Sequence, residues 1–447
     1  MQSIKRFFCV FLAAALLLAL CGCGDEPQKK KPDVNIEVDT EEEFFLDVPT
    51  ELRGTTVQIA GWSSDTDFDK ANIYADFTEL TGIELERVHV NQAEYIVKIS
   101  SLIAADQSPD VISENGDFPR TLKILQPITK ENTGIDVNDP FWDKKMTDLY
   151  TIDGKVYIVS GARSSGSKAG GNVYFNKTTL EENGIKTPNQ YVSENNWNLE
   201  TLEKLLSEMK SSCGYSRAPG SIDVDIWTLM FGAKQLDWDP VKAEFKSTVA
   251  SPEMRLALNK LLTLQDKGLV KIISGHDDSI ANGTSGFQIC GSYGLKKSPG
   301  WFYTMDADDL GFEVLPKINK DDADYPYTIG LYGYGIVQGA RNPLGAGYYL
   351  RYYLNAEHVN TDNIFKNEEA EALFNKLRQN ADYSTATFYR GVRMILEPDV
   401  SSGTMLSVVV NSTSAQISTN LIAAENQVNY AVEEANKLIQ DIIADNS

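Results

Sequence analysis

Residues 55–88 read TTVQIAGWSSDTDFDKANIYADFTELTGIELERV, and this stretch decides the fold class. Thr56–Ala60 is a short run rich in β-branched residues between Gly54 and Gly61, which predicts a buried strand. Trp62 stands at its C-terminal end, followed by the polar loop Ser63–Asp69. Ile73, Phe77 and Leu80 then recur at i, i+4 and i+7, the spacing of one apolar helix face. Thr81–Gly82 stops the helix, because glycine takes the left-handed conformation favoured past a helix C-terminus. Ile83–Val88 resumes as a strand. A strand–helix–strand unit makes its two strands parallel, and ligands of such sheets bind at the carboxyl ends of the strands. Trp62 and the loop after it are therefore predicted at a ligand edge.

Toward the amino terminus, Lys5 and Arg6 precede an apolar run of 14 residues, Phe7–Leu20. The run is short for a membrane span and right for the core of a signal peptide. It ends in Leu20-Cys21-Gly22-Cys23, which looks like a bacterial lipobox with Cys23 as the acylated cysteine. Residues 1–22 are then a lipoprotein leader, and lipid on Cys23 would tether the chain at about 0.8 kcal/mol per buried CH₂. Gly24–Asp47 has no apolar periodicity, carries Lys29–Lys31 and then Glu41–Glu43, and reads as a flexible stalk, with 23–50 as its extent.

The 447 residues carry a net charge of −22, which loss of Lys5 and Arg6 makes more negative. So acidic a chain is a poor binder of nucleic acid, whose affinity comes from clustered lysine and arginine. Roughly 400 residues remain after the stalk, enough for two lobes. Cys213 and Cys290 could pair outside the cell, and sequence alone leaves that open. The three histidines, His89, His276 and His358, are far apart, and no HExxH helix, G-x-S-x-G elbow or Walker loop occurs. Gly333-Tyr334-Gly335 with Gly339 misses the dinucleotide spacing by one residue. Asp65, Asp67, Asp69 and Asp76 sit at calcium-loop spacing, but Lys70 stands where that loop needs glycine. No catalytic group, cofactor or metal is expected.

Further along, Tyr95–Ala105 predicts a helix and Ser108–Ile112 a strand, with Glu114, Asn115 and Asp117 just past it. Leu149–Val159 predicts a hairpin turning at Asp153–Gly154. Gly161–Gly171 reads as a Gly/Ser-rich crossing, Asn172–Asn176 as a strand, and the next helix ends at Asn183–Gly184. Trp197–Met209 predicts an amphipathic helix capped by Asn198. Ile222–Lys234 predicts an apolar helix with Asp223, Asp225 and Trp227 at its start. Helices over Pro252–Leu269 and Pro343–Leu354, and strands over Ser285–Ser292, Leu310–Leu315 and Tyr327–Gln338, complete the pass.

Taken in order, TVQIAGWSS, FTELTGIELE, the helix before SPDVI, IDGKVYIV, NVYFNKTTLEENGI, WNLETLEKL, GFQICGSYG, LGFEVLPK and GYGIVQGARNPLGAGYYLRYYLN resemble the extracellular solute-binding proteins of carbohydrate ABC importers, family 1, the maltose-binding-protein-like group. The resemblance runs from about Leu52 to the C-terminus. It implies an α/β, two-lobe periplasmic-binding-protein-like fold of type II, with a hinge between lobes and the ligand in the cleft. Crossings near Gly161–Gly171 and Pro316 divide it into lobe one, 51–170 plus 317–360, and lobe two, 171–316 plus 361–447. Family positions carry over where identities do not. On that basis Trp62, Ser64 and Asp65 match the first ligand loop, Glu114, Asn115 and Asp117 the second, Asp223, Asp225 and Trp227 the third, Tyr293 an aromatic platform and Tyr332 a lesser contact. The chemistry suits a pyranose, since aromatic rings cover C–H faces while acids and amides take the hydroxyls. Trp301 is a weaker ring candidate; Trp142, Trp197 and Trp238 read as structural, and Arg163 and Lys168 as solvated. The resemblance further implies a monomeric, membrane-anchored protein on the extracytoplasmic face, passing a carbohydrate to ABC permease subunits without bond chemistry. A binding protein for another solute, a sensor input and a glycoside hydrolase stay open as alternatives.

Overall fold

In the computed structural model the described residues are 48–61, 70–91, 94–114, 116–162, 170–297, 305–359, 365–388 and 415–445, with positions 302, 391–392, 408–409 and 412–413. The opening stretch folds as its periodicity requires. β1 (Thr56–Gly61) and β2 (Glu84–His89) are parallel, in register from Thr56↔Glu84 to Gly61↔His89, with α1 (Lys70–Thr81) between them. Gly82 ends α1 at φ +74°, while the Thr81 hydroxyl donates to the carbonyl of Phe77 and accepts from the N–H of Ile83. After α2 (Tyr95–Ala104), β3 (Val111–Glu114) lies parallel to β1 on its other side. α3 (Lys144–Leu149) leads into the hairpin β4 (Thr151–Ile152) and β5 (Lys155–Val156). Asp153 and Gly154 both have positive φ, 48° and 71°, the handedness a two-residue hairpin turn requires. β6 (Ile158–Val159) then leaves the hairpin for the first sheet.

The second sheet opens with β7 (Gly171–Asn176), followed by α4 (Lys177–Glu182) and α5 (Leu199–Ser212). The Asn198 side chain caps α5 as expected, accepting from the N–H groups of Glu200 and Thr201. β8 (Gly220–Asp223), α6 (Val224–Met230), the antiparallel hairpin β9 (Leu236–Asp239) and β10 (Glu244–Ser247), α7 (Pro252–Asp266), β11 (Val270–Ile273), β12 (Phe287–Gly291) and β13 (Leu310–Glu313) follow. The chain returns through β14 (Gly333–Ile336) and ends in α8 (Pro343–Val359), α9 (Glu368–Gln379) and α10 (Ile417–Asp445). Sheet one has the order β2-β1-β3-β14-β6 and sheet two β11-β8-β12-β7-β13. The chain is thus mixed α/β with two five-stranded sheets.

Several elements differ from their sequence reading. The helix expected from Ile222 begins only at Val224, because residues 220–223 are β8, fully buried between β11 and β12. The hairpin β9–β10 and strand β11 had no counterpart in the reading. Within the long strand expected over Tyr327–Gln338, only Gly333–Ile336 forms ladder pairs, and the helix from Pro343 runs on to Val359. Cys213 and Cys290 are both free thiols.

Three segments meet between the sheets. Gly170 and Gly171 donate their N–H groups to the carbonyl and hydroxyl oxygens of Thr328, each at 3.0 Å. Asp382 donates to the carbonyl of Tyr327 at 2.9 Å, and Ile329 donates to the hydroxyl of Thr385 at 3.0 Å. Lys317 still exchanges backbone bonds with Trp197 and Leu199 beside sheet two, so the return crossing lies beyond it. Phe118, just past β3, is fully buried against Tyr150, Trp238, Phe245 and Phe388, with ring centroids 5.0–6.2 Å apart. This aromatic group ties the β3 loop of sheet one to the β9–β10 hairpin beyond sheet two.

Candidate functional site

Strand direction puts candidate residues on two edges. In sheet one, β1, β2 and β3 end at Gly61, His89 and Glu114, while antiparallel β14 begins there at Gly333, paired with Glu114. In sheet two, β8, β11 and β12 end at Asp223, Ile273 and Gly291, and antiparallel β7 begins at Gly171. Carboxyl ends of parallel strands are where α/β sheets receive ligands.

On the first edge, Trp62, Ser64, Asp65 and Asn115 lie outside the described residues, as do Trp301, Arg163, Lys168 and Cys23. Glu114 is fully buried. Its Oε1 accepts the N–H of Phe118 at 3.0 Å, and its Oε2 has no hydrogen-bond partner among the described residues. Burial, and then the negative charge of Asp117, push its carboxyl well above the usual carboxylate range. Asp117 is also buried. The pair therefore sits at the expected strand end but is directed inward, under the Phe118 aromatic group. Tyr332 is half-buried, and its hydroxyl meets that of Tyr334.

On the second edge, Asp223 is a brace. Its Oδ1 accepts from the N–H groups of Asp225 (2.8 Å) and Ile226 (3.3 Å) as the cap of α6, and its Oδ2 accepts from Gly275 beyond β11 at 2.7 Å. Three N–H groups on one carboxylate leave little for a ligand. Asp225 is half-buried, and its Oδ1 accepts Nε2 of Gln235 at 2.9 Å. Burial raises the carboxyls of both aspartates, and that of Asp223 is raised further by Asp225. Trp227 belongs to the core. It is fully buried, its Nε1–H donates to the carbonyl of Ala257 at 2.7 Å, and its ring lies 5.4 Å from Phe231. The ring expected to cover a sugar face is instead packing α6 onto α7. Tyr293, in the turn Ser292–Leu295, keeps a partly exposed ring 6.0 Å from that of His276 and nearly perpendicular to it.

The structure thus brings Asp223, Asp225 and Tyr293 to one edge and Glu114, Asp117 and Tyr332 to the other. It adds two residues the sequence reading passed over, Gln235 and His276. His276 follows β11 (VKII), a run too short to carry a period of its own, so no local signal marks the position. Burial lowers the imidazole's pKa from its ordinary value, against the opposing charges of Asp278 and Asp277. Among the described residues no lysine or arginine forms an ion pair with Glu114, Asp223 or Asp225, and no three His, Cys, Asp or Glu side chains cluster as a metal site.

Two α/β sheets joined by several crossing segments, with polar and aromatic residues on their strand-end edges, define the bilobal class of binding proteins. The chain belongs to the bacterial extracellular solute-binding protein family, whose model matches residues 72–366. That membership places it outside the cytoplasm, and no helix among the described residues is long and apolar enough to cross a membrane. No curated protein matches the sequence. Among solved structures, the chain is similar to the galacto-N-biose-/lacto-N-biose I-binding protein of the ABC transporter from Bifidobacterium longum, with TM-score 0.62 and 11% identity, covering 85% of this chain and 98% of that one. The GacH receptor of Streptomyces glaucescens, described unliganded and with acarbose, gives 0.56 at 15% identity, covering 88% and 99%. The sugar-binding protein MalE from Xanthomonas citri gives 0.55 at 16%, covering 88% and 98%. At these identities the likeness is one of fold.

Proposed function

We propose that the protein is the lipid-anchored capture subunit of an ABC importer, binding a carbohydrate, in our reading an oligosaccharide, between two lobes and presenting it to membrane permease subunits. Lobe one is 51–170 plus 317–360 and lobe two 171–316 plus 361–447, with the Lys317 bonds favouring a second boundary slightly later. The observation that carries the reading is the pair of strand-end edges, each with a partly exposed tyrosine and the second with the half-buried Asp225, on a fold similar over 85–88% of the chain to three sugar-binding proteins. Carboxylates and amides suit the hydroxyl rim of a sugar, and Tyr293 and Tyr332 suit its apolar faces. Closure of two lobes about the Gly170–Thr328 crossing would bring the edges onto one ligand. Cys23 holds the anchor, and the ligand leaves chemically unchanged.

Titration of the protein with a glycan panel, followed by thermal shift, tests this. A shift growing with ligand concentration is expected by linkage. Shifts only with peptides or amines would remove the carbohydrate assignment, and release of shorter sugars would replace binding by hydrolysis.

A further inference from the structure

We infer that Gly291 and His276 are positioning residues, which hold the ring of Tyr293 in one orientation at the edge of sheet two as a preformed platform for the apolar face of a sugar. The inference rests on the carbohydrate reading for what the ring meets, and on the geometry alone for how the ring is held. Tyr293 is the second residue of the turn Ser292–Leu295, directly after β12, and its ring is partly exposed. Beneath it the strand ends in glycine. Gly291 has φ −63° and ψ 152°, values any residue adopts, so glycine is not needed there for backbone freedom. It is needed for space. A Cβ at that position would meet Cε1 of Tyr293 far inside the 3.0 Å that real Cβ atoms respect, with Cδ1 at 2.7 Å and Cζ at 3.2 Å. The ring lies against the Gly291 main chain through its Cδ1–Cε1 side, a close approach of the kind that keeps glycine in a strand. Gly291 is fixed in turn: it pairs with Gly171 of β7, and its carbonyl accepts the hydroxyl of Tyr174 at 2.8 Å.

The second support comes from the end of β11. The His276 ring stands 6.0 Å from that of Tyr293 at 82°, the edge-to-face arrangement that aromatic pairs prefer. The turn carrying His276 is held by Asp223, whose Oδ2 accepts the N–H of Gly275 at 2.7 Å. Gly275 has φ +78°, and a Cβ there would lie 4.0 Å from the Tyr293 hydroxyl oxygen. The tyrosine's own turn is tied down as well, since Ser292 donates its N–H to the carbonyl of Gly170 at 3.0 Å. The buried brace Asp223 therefore sets the place of the histidine, and histidine and glycine together set the ring. A ring already held in one orientation loses little freedom when a solute arrives, so the two residues raise affinity without touching the solute.

The test pairs crystal structures of ligand-free variants with isothermal titration of the full chain against maltotriose, cellotriose, xylotriose and diacetylchitobiose. His276→Ala is expected to weaken the binding of these sugars by about two- to tenfold, the worth of an aromatic pair. His276→Phe, which keeps a ring in that place, should return affinity to within about twofold of the original. Gly291→Ala should weaken binding further and displace the Tyr293 ring; where it does not fold, the His276 variants carry the test. In a Tyr293→Leu background His276→Ala should add no loss, because its effect passes through the tyrosine ring. An unmoved ring in both variants, or an equal His276→Ala loss with and without Tyr293, overturns the inference while leaving the carbohydrate reading standing. If none of the sugars binds, the carbohydrate reading falls and the crystal structures alone decide: a displaced ring upholds the positioning, and an unmoved one overturns it.

Discussion

The crossing at Gly170–Gly171 makes a sharp prediction. A Cβ added at Gly171 would meet Cγ2 of Ile226 far inside the 3.0 Å that real Cβ atoms respect, with Cδ1 at 3.2 Å and Cβ at 3.3 Å behind it. Gly171 is not among the positive-φ glycines, so alanine there meets no backbone penalty and the cost is contact alone. Overpacking typically costs about 1–3 kcal/mol. Restricting the unfolded chain by replacing glycine returns about 0.4–1 kcal/mol. Gly171→Ala should therefore destabilise by roughly 1–2 kcal/mol. Ile226→Ala removes the offending Cγ2 and leaves a void of its own, at the low end of the roughly 2–5 kcal/mol for buried isoleucines because Ile226 is half-buried. In the double variant the new methyl enters that void. The two costs should then fail to add, with a coupling of about 1 kcal/mol in the stabilising direction. Urea unfolding is the assay of choice. With about 2.1 cal/mol/K per residue over roughly 400 residues, 1 kcal/mol moves the melting midpoint by only about 1 °C. Additivity within about 0.3–0.5 kcal/mol, the range expected of independent sites, would refute the claim that glycine is required here by close approach to α6.

Three further expectations bear on the candidate site. Trp227→Phe loses the Nε1 bond to Ala257 and should cost about 1 kcal/mol of stability with ligand affinity unchanged; an affinity loss at full stability would return the ring to the ligand. Phe118→Ala empties the aromatic group joining the β3 loop to the β9–β10 hairpin and should cost about 3–5 kcal/mol in urea unfolding, whereas a cost below about 1 kcal/mol would show the group is not packed as described. Glu114 keeps its proton in the folded chain at pH values where the unfolded chain, with its ordinary glutamate pKa of 4.5, has released it. The folded state thus binds more protons, and stability falls as pH rises from about 4.5 toward the raised folded value. Glu114→Gln should shallow that slope without abolishing it, because Asp223 and Asp225 are shifted the same way; a slope unchanged in urea midpoints across pH would contradict the buried, unpaired carboxyl.

How much of this was legible follows from the range of the signals. β1–α1–β2, the Asp153–Gly154 hairpin and the Asn198-capped helix are written in local periodicity and turn chemistry, and they were read with ends within a few residues. β8 and β11 are four residues long and carry no period of their own; β8 ran into the helix after it, and β11 fell in the gap after the Pro252 helix. Their existence depends on the ladder that β12 completes, which is set by residues far along the chain. The same limit explains the site. Nothing local says whether Trp227, four residues after the Asp223 cap, faces the edge or α7. The cap itself was readable, however. An aspartate directly before an apolar helix commits its carboxylate to N–H groups, and Asp223 does so.

That commitment is what separates the edge residues into two kinds. Residues at the ends of β3 and β8 have side chains turned to the backbone they terminate, Glu114 through one oxygen to Phe118 and Asp223 through both to Asp225, Ile226 and Gly275. Residues one step further, Asp225, Tyr293 and His276, keep partly exposed side chains on an edge the braced residues hold in place. In the proposed site a strand-end acid therefore braces the edge, and its neighbours in the next turn are the ones placed to meet a solute. Asp223→Asn should then disturb the turn at Gly275 and lower stability, whereas Asp225→Asn should alter ligand choice at nearly constant stability. If the two substitutions exchanged these effects in paired unfolding and titration measurements, the division between brace and contact would be reversed.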